Sequence, residues 1–162
     1  MHMKKIIKLI GITFVVLAVG CKSQTRQKDA IVLKQEQAST IHQLEGTWEL
    51  IDFKTATTKG ETVSDLFPLK APFFVVNLKD SKIYGEDGCN LQQGTIKALG
   101  ASTLDLEPGI TPFQTYCEEV ESMAYKIAFW KTKEYQFDNN LLLLKSEDHQ
   151  TVLTYKRIEN QQ

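Results

Sequence analysis

Three cysteines, Cys21, Cys89 and Cys117, are the residues of this chain whose spacing most directly suggests chemistry. Cys21 ends an apolar amino-terminal segment, where a thiol is available for lipid attachment. Cys89 and Cys117 fit no Cys-x-x-Cys redox motif, and the two histidines beyond the amino-terminal segment, His42 and His149, are not placed to complete a zinc site with them. In an exported protein such a pair is by default a structural disulfide, with buried free thiols or a redox or metal role as the alternatives.

The amino-terminal segment has the order of elements found in a secretory signal. A basic start precedes an apolar stretch from Leu9 to Val19, which is shorter than the about 20 apolar residues that a membrane-spanning helix needs. The sequence Leu17-Ala18-Val19-Gly20-Cys21 resembles the lipobox of bacterial lipoproteins. We therefore predict a signal peptide at residues 1–20 and lipidation at Cys21, against the alternative of an ordinary signal peptide with a cysteine nearby by chance.

The segment after Cys21 concerns location and partners. Lys22 differs from the aspartate of an enterobacterial inner-membrane retention signal, which favours the outer membrane. We expect the domain to face the periplasm, with exposure at the cell surface as the alternative. The polar residues 21–43 predict a tether. Beyond residue 20 the chain has 16 basic and 20 acidic side chains, a net charge of −4, because three of the 19 basic residues precede that point. This charge excludes a nucleic-acid footprint. The expected partners are the membrane, through Cys21, and an unidentified envelope protein.

From Leu44 onward, short apolar runs alternate with turn residues and predict strands. The runs are centred on Trp48–Phe53, Phe73–Leu78, Lys82–Tyr84, Leu91–Leu99 and Thr103–Leu106, followed by a three-stranded meander at Tyr135–Phe137, Leu141–Leu144 and Thr151–Tyr155. We predict an α+β, mostly β fold. Its antiparallel sheet would have about seven or eight strands, be barrel-like or strongly curved, and have one helix inserted before the last three strands.

One segment has helical periodicity. Apolar residues recur at i, i+3, i+4, i+7 and i+8, namely at Val120, Met123, Ala124, Ile127 and Ala128. Glu118, Glu119 and Glu121 precede them and Lys131 follows, in the order that the helix dipole favours. We predict a helix over residues 118–131 whose apolar stripe packs against the core. The three glutamates are then a solvated helix start rather than a catalytic pair.

Gly85, Gly88 and Asn90 form a second pattern, which we interpret as a structural turn motif. Glycine adopts positive φ without steric cost, and asparagine tolerates it better than most residues. Asp87-Gly88 is typical of a tight turn or bulge, with a polar binding rim as the alternative interpretation.

Several of these residues together resemble the META (HslJ-like) domain family, over about residues 44–158. The resemblance depends on Leu44-x-Gly46-x-Trp48, on Gly85-x-x-Gly88-Cys89-Asn90, on Cys117 before the helix and on the closing Leu153-x-Tyr155. The chain differs at Phe113–Tyr116, where the family has a Thr-Arg-Met-Ala-like stretch. Members are often envelope lipoproteins linked to heat or antibiotic stress. The resemblance therefore implies an interaction or stress-protection module, with no reaction or cofactor.

The remaining residues give little support for catalysis. Two scattered histidines provide no evident general base for a serine nucleophile, so we expect neither an enzyme nor a metal or cofactor. Phe73, Phe113 and Trp130 are assigned to the core rather than to a partner surface. The alternative function is a lipocalin-like binder of small apolar ligands, which also opens with Gly-x-Trp. Lipocalins place their helix after the eighth strand, however, whereas three strands follow the predicted helix here.

Overall fold

The computed structural model describes residues 39–58, 60–111 and 113–159, and eight strands among them form one antiparallel sheet. The predictions for residues 1–38, including Cys21, lie outside the described residues. The strands pair in the order β5-β4-β3-β2-β1-β8-β7-β6. Their bounds are Gly46–Lys54 (β1), Phe73–Asn77 (β2), Lys82–Glu86 (β3), Leu91–Leu99 (β4), Leu104–Pro108 (β5), Thr132–Asp138 (β6), Leu141–Ser146 (β7) and Val152–Ile158 (β8).

The two edges of this sheet approach each other and nearly close it into a barrel. Thr103, just before β5, forms a bridge with Glu134 of β6, and the Tyr135 amide donates to the Ser102 carbonyl at 2.9 Å. A helix precedes the last three strands. The predicted fold class is therefore confirmed, including the carboxy-terminal meander of β6, β7 and β8.

Alternating burial along the strands produces the core. Successive side chains of a strand point to opposite faces, so every second apolar residue enters the barrel. Phe74 and Val76 of β2, Leu142 and Leu144 of β7, and Tyr155 of β8 are buried in this way. Aromatic rings fill much of the interior, and the Phe74 ring lies 4.8 Å from that of Tyr155. Because the barrel interior is packed, the geometry does not favour the interior ligand site of a lipocalin.

Within the described residues, three short helical segments accompany the sheet: α1 (residues 39–42), α2 (Val63–Leu66) and α3 (Ser122–Trp130). Tyr125, Ala128 and Phe129 of α3 are buried, and the Phe129 and Phe74 rings are 5.0 Å apart. α3 therefore packs against the core side of the sheet. Among the described residues, no helix has the length and apolar character needed to span a membrane.

The predicted helix is partly wrong in extent and in orientation. It begins at Ser122 rather than at residue 118, because Glu119 has a positive φ of 62° that interrupts helical geometry. Glu118 and Glu119 lie before the helix, and Glu121 is its N-cap residue. Met123 and Ile127, which we expected in the core, are 65% and 50% exposed. The aromatic residues Tyr125 and Phe129 occupy the core instead and rotate the predicted stripe towards the surface.

The strand register defines two ends of the barrel. At the entry end, the chain enters β1 at Gly46, which is paired with Val76, and the β2–β3 and β6–β7 turns lie at the same end. At the opposite end, Phe73 pairs with Glu86, which pairs with Leu91. We call this the strap end, because it carries α3 and the strap, defined as residues 109–121, of which 109–111 and 113–121 are described.

Candidate functional site

The β3–β4 turn at the strap end is held by one buried carboxylate. Asp87 Oδ1 accepts hydrogen bonds from the amides of Cys89 at 2.9 Å and Asn90 at 2.6 Å, and the Asp87 amide donates to the Asn90 carbonyl at 2.9 Å. Gly88 has a φ of +89°, and a Cβ there would lie 2.7 Å from the Phe67 ring. This position therefore needs glycine both for its backbone conformation and for space, as the sequence predicts.

The other two residues of the predicted turn motif act differently from the prediction. Gly85 lies inside β3, and a Cβ would collide with the backbone of Phe73 and Phe74. Asn90 does not have positive φ. Its side-chain amide instead clamps the strap backbone, since Nδ2 donates to the Thr115 carbonyl at 2.8 Å and Oδ1 accepts from the Thr115 amide at 2.6 Å. The Asn90 side chain therefore makes the pair of hydrogen bonds with the Thr115 backbone that a neighbouring strand would otherwise make.

A disulfide joins Cys89 of the turn to Cys117 of the strap, with the two Cα atoms 6.0 Å apart. The pairing agrees with the default expectation for these cysteines in the sequence. Further bonds fasten the beginning of the strap, where the Gly109 amide donates to the Gln93 carbonyl at 2.8 Å and Gln93 Nε2 donates to the Ile110 carbonyl at 2.7 Å. The strap is thus attached to β4 at its beginning and to the β3–β4 turn further along its course.

The side chains of the strap are poorly buried despite these attachments. Ile110, Phe113 and Tyr116 are 89%, 97% and 88% exposed. The assignment of Phe113 to the core is wrong, because the strap lies outside the sheet and its own short span has no second layer to cover it. Phe113 also has a φ of 58°, an uncommon conformation for a bulky aromatic residue. The strap therefore leaves three large apolar side chains uncovered, one of them on a strained backbone.

Two apolar clefts flank the strap, one on each side. The first, which we call the sheet cleft, has a volume of about 550 Å³ and is lined by the outward-facing side chains of Phe73, Val75, Tyr84 and Leu91. Its floor is the outer face of β2, β3 and β4. Phe73 is therefore half-buried on this outer face rather than in the core.

The second, the helix cleft, has a volume of about 510 Å³. Met123, Ile127 and Trp130 of α3 form one wall, and Pro108 and Gly109 lie opposite. Trp130 is partly buried and also packs against the core. The two clefts share Gln92, Gln93 and Thr111, so they adjoin each other at the beginning of the strap.

Polar groups are buried beneath this surface. Asp87 is fully buried, and its Oδ2 lies 3.3 Å from Nζ of Lys126, which also donates to Gln114 of the strap at 2.5 Å. The Tyr155 hydroxyl donates to that of Tyr125 at 3.1 Å. Burial raises the pKa of both phenols above the usual range, so these hydroxyls stay neutral. The arrangement links α3, the strap and the β3–β4 turn, which is a structural role.

Comparison with known proteins places the fold. A DUF4847 family protein from Bacteroides vulgatus is similar with a TM-score of 0.55 and 19% identity, covering 72% of this chain and 95% of that chain. A protein from Burkholderia xenovorans, solved by NMR, is similar with a TM-score of 0.57 and 15% identity, covering 76% of this chain and 88% of that chain. No family model and no curated protein matches the chain. At these identities the likeness shows the fold alone.

Sequence reasoning identified Gly88, Asn90 and the two cysteines but did not find the clefts. Ile110, Phe113 and Tyr116 recur every three residues between a strand and a helix, and this spacing is the one signal that the sequence contains. The outward-facing Phe73, Val75 and their neighbours cannot be distinguished from core residues by type. The structure brings both groups together at one end of the barrel.

Proposed function

We propose that this chain is a lipid-anchored envelope protein whose META-like domain acts as a non-enzymatic interaction or stress-protection module. The observation that carries the proposal is the exposed apolar surface formed by the strap and the two clefts. Soluble proteins rarely leave contiguous apolar surface uncovered unless it binds something. Here the disulfide and the Asn90 clamp hold that surface in place.

The position of the surface supports this role. The chain enters the barrel at Gly46, at the end opposite the strap. A lipid anchor at Cys21 therefore attaches to the domain away from the clefts, which stay accessible to a partner in the envelope. Several acyl chains on one cysteine would provide stable anchoring, because a single chain binds membranes only marginally.

The anchor is tested by Cys21→Ser in the producing cell. We expect the variant to lose fatty-acid labelling and to leave the membrane fraction. The wild-type protein should be labelled and should be found in the outer-membrane fraction. Cys89→Ser/Cys117→Ser is a matched control, because it removes both cysteines of the domain disulfide but keeps Cys21, and it should leave the label in place. Continued labelling of Cys21→Ser would contradict the lipoprotein assignment.

The interaction surface is tested by photo-cross-linking in intact cells. A photoreactive residue replaces Leu91 of the sheet cleft or Ile127 of the helix cleft. Gln136, an exposed residue of β6 on another part of the barrel, is the control. We expect discrete protein adducts from Leu91 and Ile127 and none from Gln136. Equal adducts at all three positions, or none at any, would contradict an interaction module that uses these clefts.

A second candidate function is supported by one observation. The sheet cleft, at about 550 Å³ with apolar walls, has the size of a small-molecule site, so a small apolar ligand is the alternative occupant. Native mass spectrometry of protein isolated from its own envelope separates the two functions. A copurifying small molecule that is lost in Leu91→Glu would support the alternative, whereas a bare protein mass would favour the interaction module.

A further inference from the structure

The charged side chains of the strap are all acidic, and they lie beside its exposed apolar side chains. The strap has three glutamates, a fourth lies just before it in β5, and residues 107–121 contain no lysine, arginine or histidine. The four side chains, Glu107, Glu118, Glu119 and Glu121, are all exposed. None of them forms an ion pair with a cation within the described part of the chain. The strap therefore presents uncompensated negative charge next to its aromatic residues.

The neighbouring cations do not neutralise this charge. Lys70 is 2.8 Å from Glu86, and Lys126 is 3.3 Å from the buried Asp87, so both are paired with acids outside the strap. Lys131, at the rim of the helix cleft next to Trp130, is an exposed cation without an ion pair among the described residues. The field over the strap is consequently negative, and Lys131 lies at its margin as a cation without an ion pair among the described residues, next to the paired Lys126.

We propose that this surface binds a polypeptide segment in which basic side chains lie between apolar ones; this partner class rests on the proposed interaction function. The glutamates attract lysine or arginine, and the exposed rings of Phe113 and Tyr116 offer π-faces to the same cations. An anionic lipid surface meets repulsion here. A single small ligand fills one cleft, whereas successive side chains of one peptide reach both clefts across the strap.

The test uses the full chain in phosphatidylcholine nanodiscs and three fluorescent nine-residue peptides. The peptides alternate Phe with Lys, Phe with Glu, or Ser with Lys. We expect the Phe/Lys peptide to bind at least about tenfold more tightly than either of the others, with an affinity that falls as salt rises. Equal binding of Phe/Glu would overturn charge recognition, and equal binding of Ser/Lys would overturn the apolar contribution.

Variants locate the binding. Glu118→Gln/Glu119→Gln/Glu121→Gln should weaken Phe/Lys binding by about tenfold, as expected for the loss of three exposed ion pairs. Asp80→Asn/Asp138→Asn/Glu159→Gln removes the same charge at the entry end of the barrel, away from the strap, and should leave the affinity unchanged. Phe113→Ser/Tyr116→Ser tests the aromatic contribution without touching the core. An equal effect of both charge variants would show a nonspecific attraction and overturn the proposal.

Failure of this inference is distinguishable from failure of the proposed function. If the Phe/Lys peptide does not bind while Leu91 and Ile127 still yield protein adducts in cells, the partner chemistry is wrong and the interaction module stands. Flotation with phosphatidylglycerol vesicles that depends on Phe113 would assign the surface to a membrane and overturn the peptide partner. If the adducts are absent as well, the interaction function itself fails.

Discussion

The entry end and the strap end of the barrel differ in whether their aromatic side chains are covered by the rest of the protein. At the entry end Trp48 is 1% exposed, its Nε1 donates to the Leu44 carbonyl at 2.9 Å, and the Arg157 guanidinium lies 4.3 Å from the ring centroid. Arg157 also donates to the carbonyls of Gln43 and Glu45. The indole N–H, the guanidinium and the backbone carbonyls of Gln43, Leu44 and Glu45 therefore find their partners within the protein at this end.

At the strap end, comparable groups stay unused by the protein itself. Phe113 and Tyr116 are almost fully exposed, and the part of the strap around them is held by one disulfide and by the Asn90 amide, whereas core packing begins at Val120. The difference shows that apolar burial fixes the Trp48 side chain at the entry end, whereas covalent and polar attachments fix the strap and leave its large apolar side chains uncovered. Substitutions at the two ends should therefore have different consequences.

The largest effect is expected for Trp48→Ala. Loss of a buried indole, with its cavity and its contact to Arg157, should reduce the free energy of unfolding by about 3–5 kcal/mol in chemical denaturation. Phe113→Ala removes an aromatic ring of the strap end and should change it by less than about 0.5 kcal/mol. Similar losses in the free energy of unfolding for the two variants would contradict the difference between the two ends.

Removal of the disulfide should have the next largest effect. On the chain-entropy model, Cys89→Ser/Cys117→Ser should lower the free energy of unfolding by roughly 3–4 kcal/mol while the far-ultraviolet circular dichroism of the barrel is retained. Reduction of the unmodified protein should reproduce this shift in melting temperature. Mass spectrometry after alkylation without reductant gives the direct measurement, and two alkylated thiols would reject the bond.

Asn90→Leu tests the polar attachment of the strap. It leaves the amide and carbonyl of Thr115 without their partners, and we expect a loss of about 1–3 kcal/mol in the free energy of unfolding. Faster hydrogen exchange should be confined to the strap. Gln93→Leu removes a single hydrogen bond to the strap, at Ile110, and should cost less. Uniform exchange across the sheet would show that Asn90 supports the core instead.

The smallest effect is expected for Ile127→Asp. The side chain is half exposed in the helix cleft, so the added carboxylate stays hydrated and should alter the free energy of unfolding by less than about 0.5 kcal/mol. Ala128→Asp, one residue further along α3 and 7% exposed, should cost several kcal/mol because it buries an unpaired charge. An unfolded Ile127→Asp variant would restore the orientation of α3 predicted by periodicity.

Much of the fold could be predicted from the sequence because strand patterning is local. Leu91–Leu99 was predicted with the bounds that β4 has, and the helix before the last three strands follows from the chain order alone. Gly88 was predicted as a turn residue because its backbone requirement is local too. The orientation of α3 could not be predicted, since Tyr125 and Phe129 compete with Met123 and Ile127 for the same core.

The amino-acid sequence by itself determined the β-rich class, the position of the helix and the two domain cysteines available for a bond. The tertiary structure decided which face of α3 is buried, that Asn90 clamps Thr115, and that the strap carries its apolar side chains outward. The physical reason is that sequence periodicity depends only on the helix or strand to which a residue itself belongs. Burial and hydrogen bonding depend on what another element, distant in sequence, places against it.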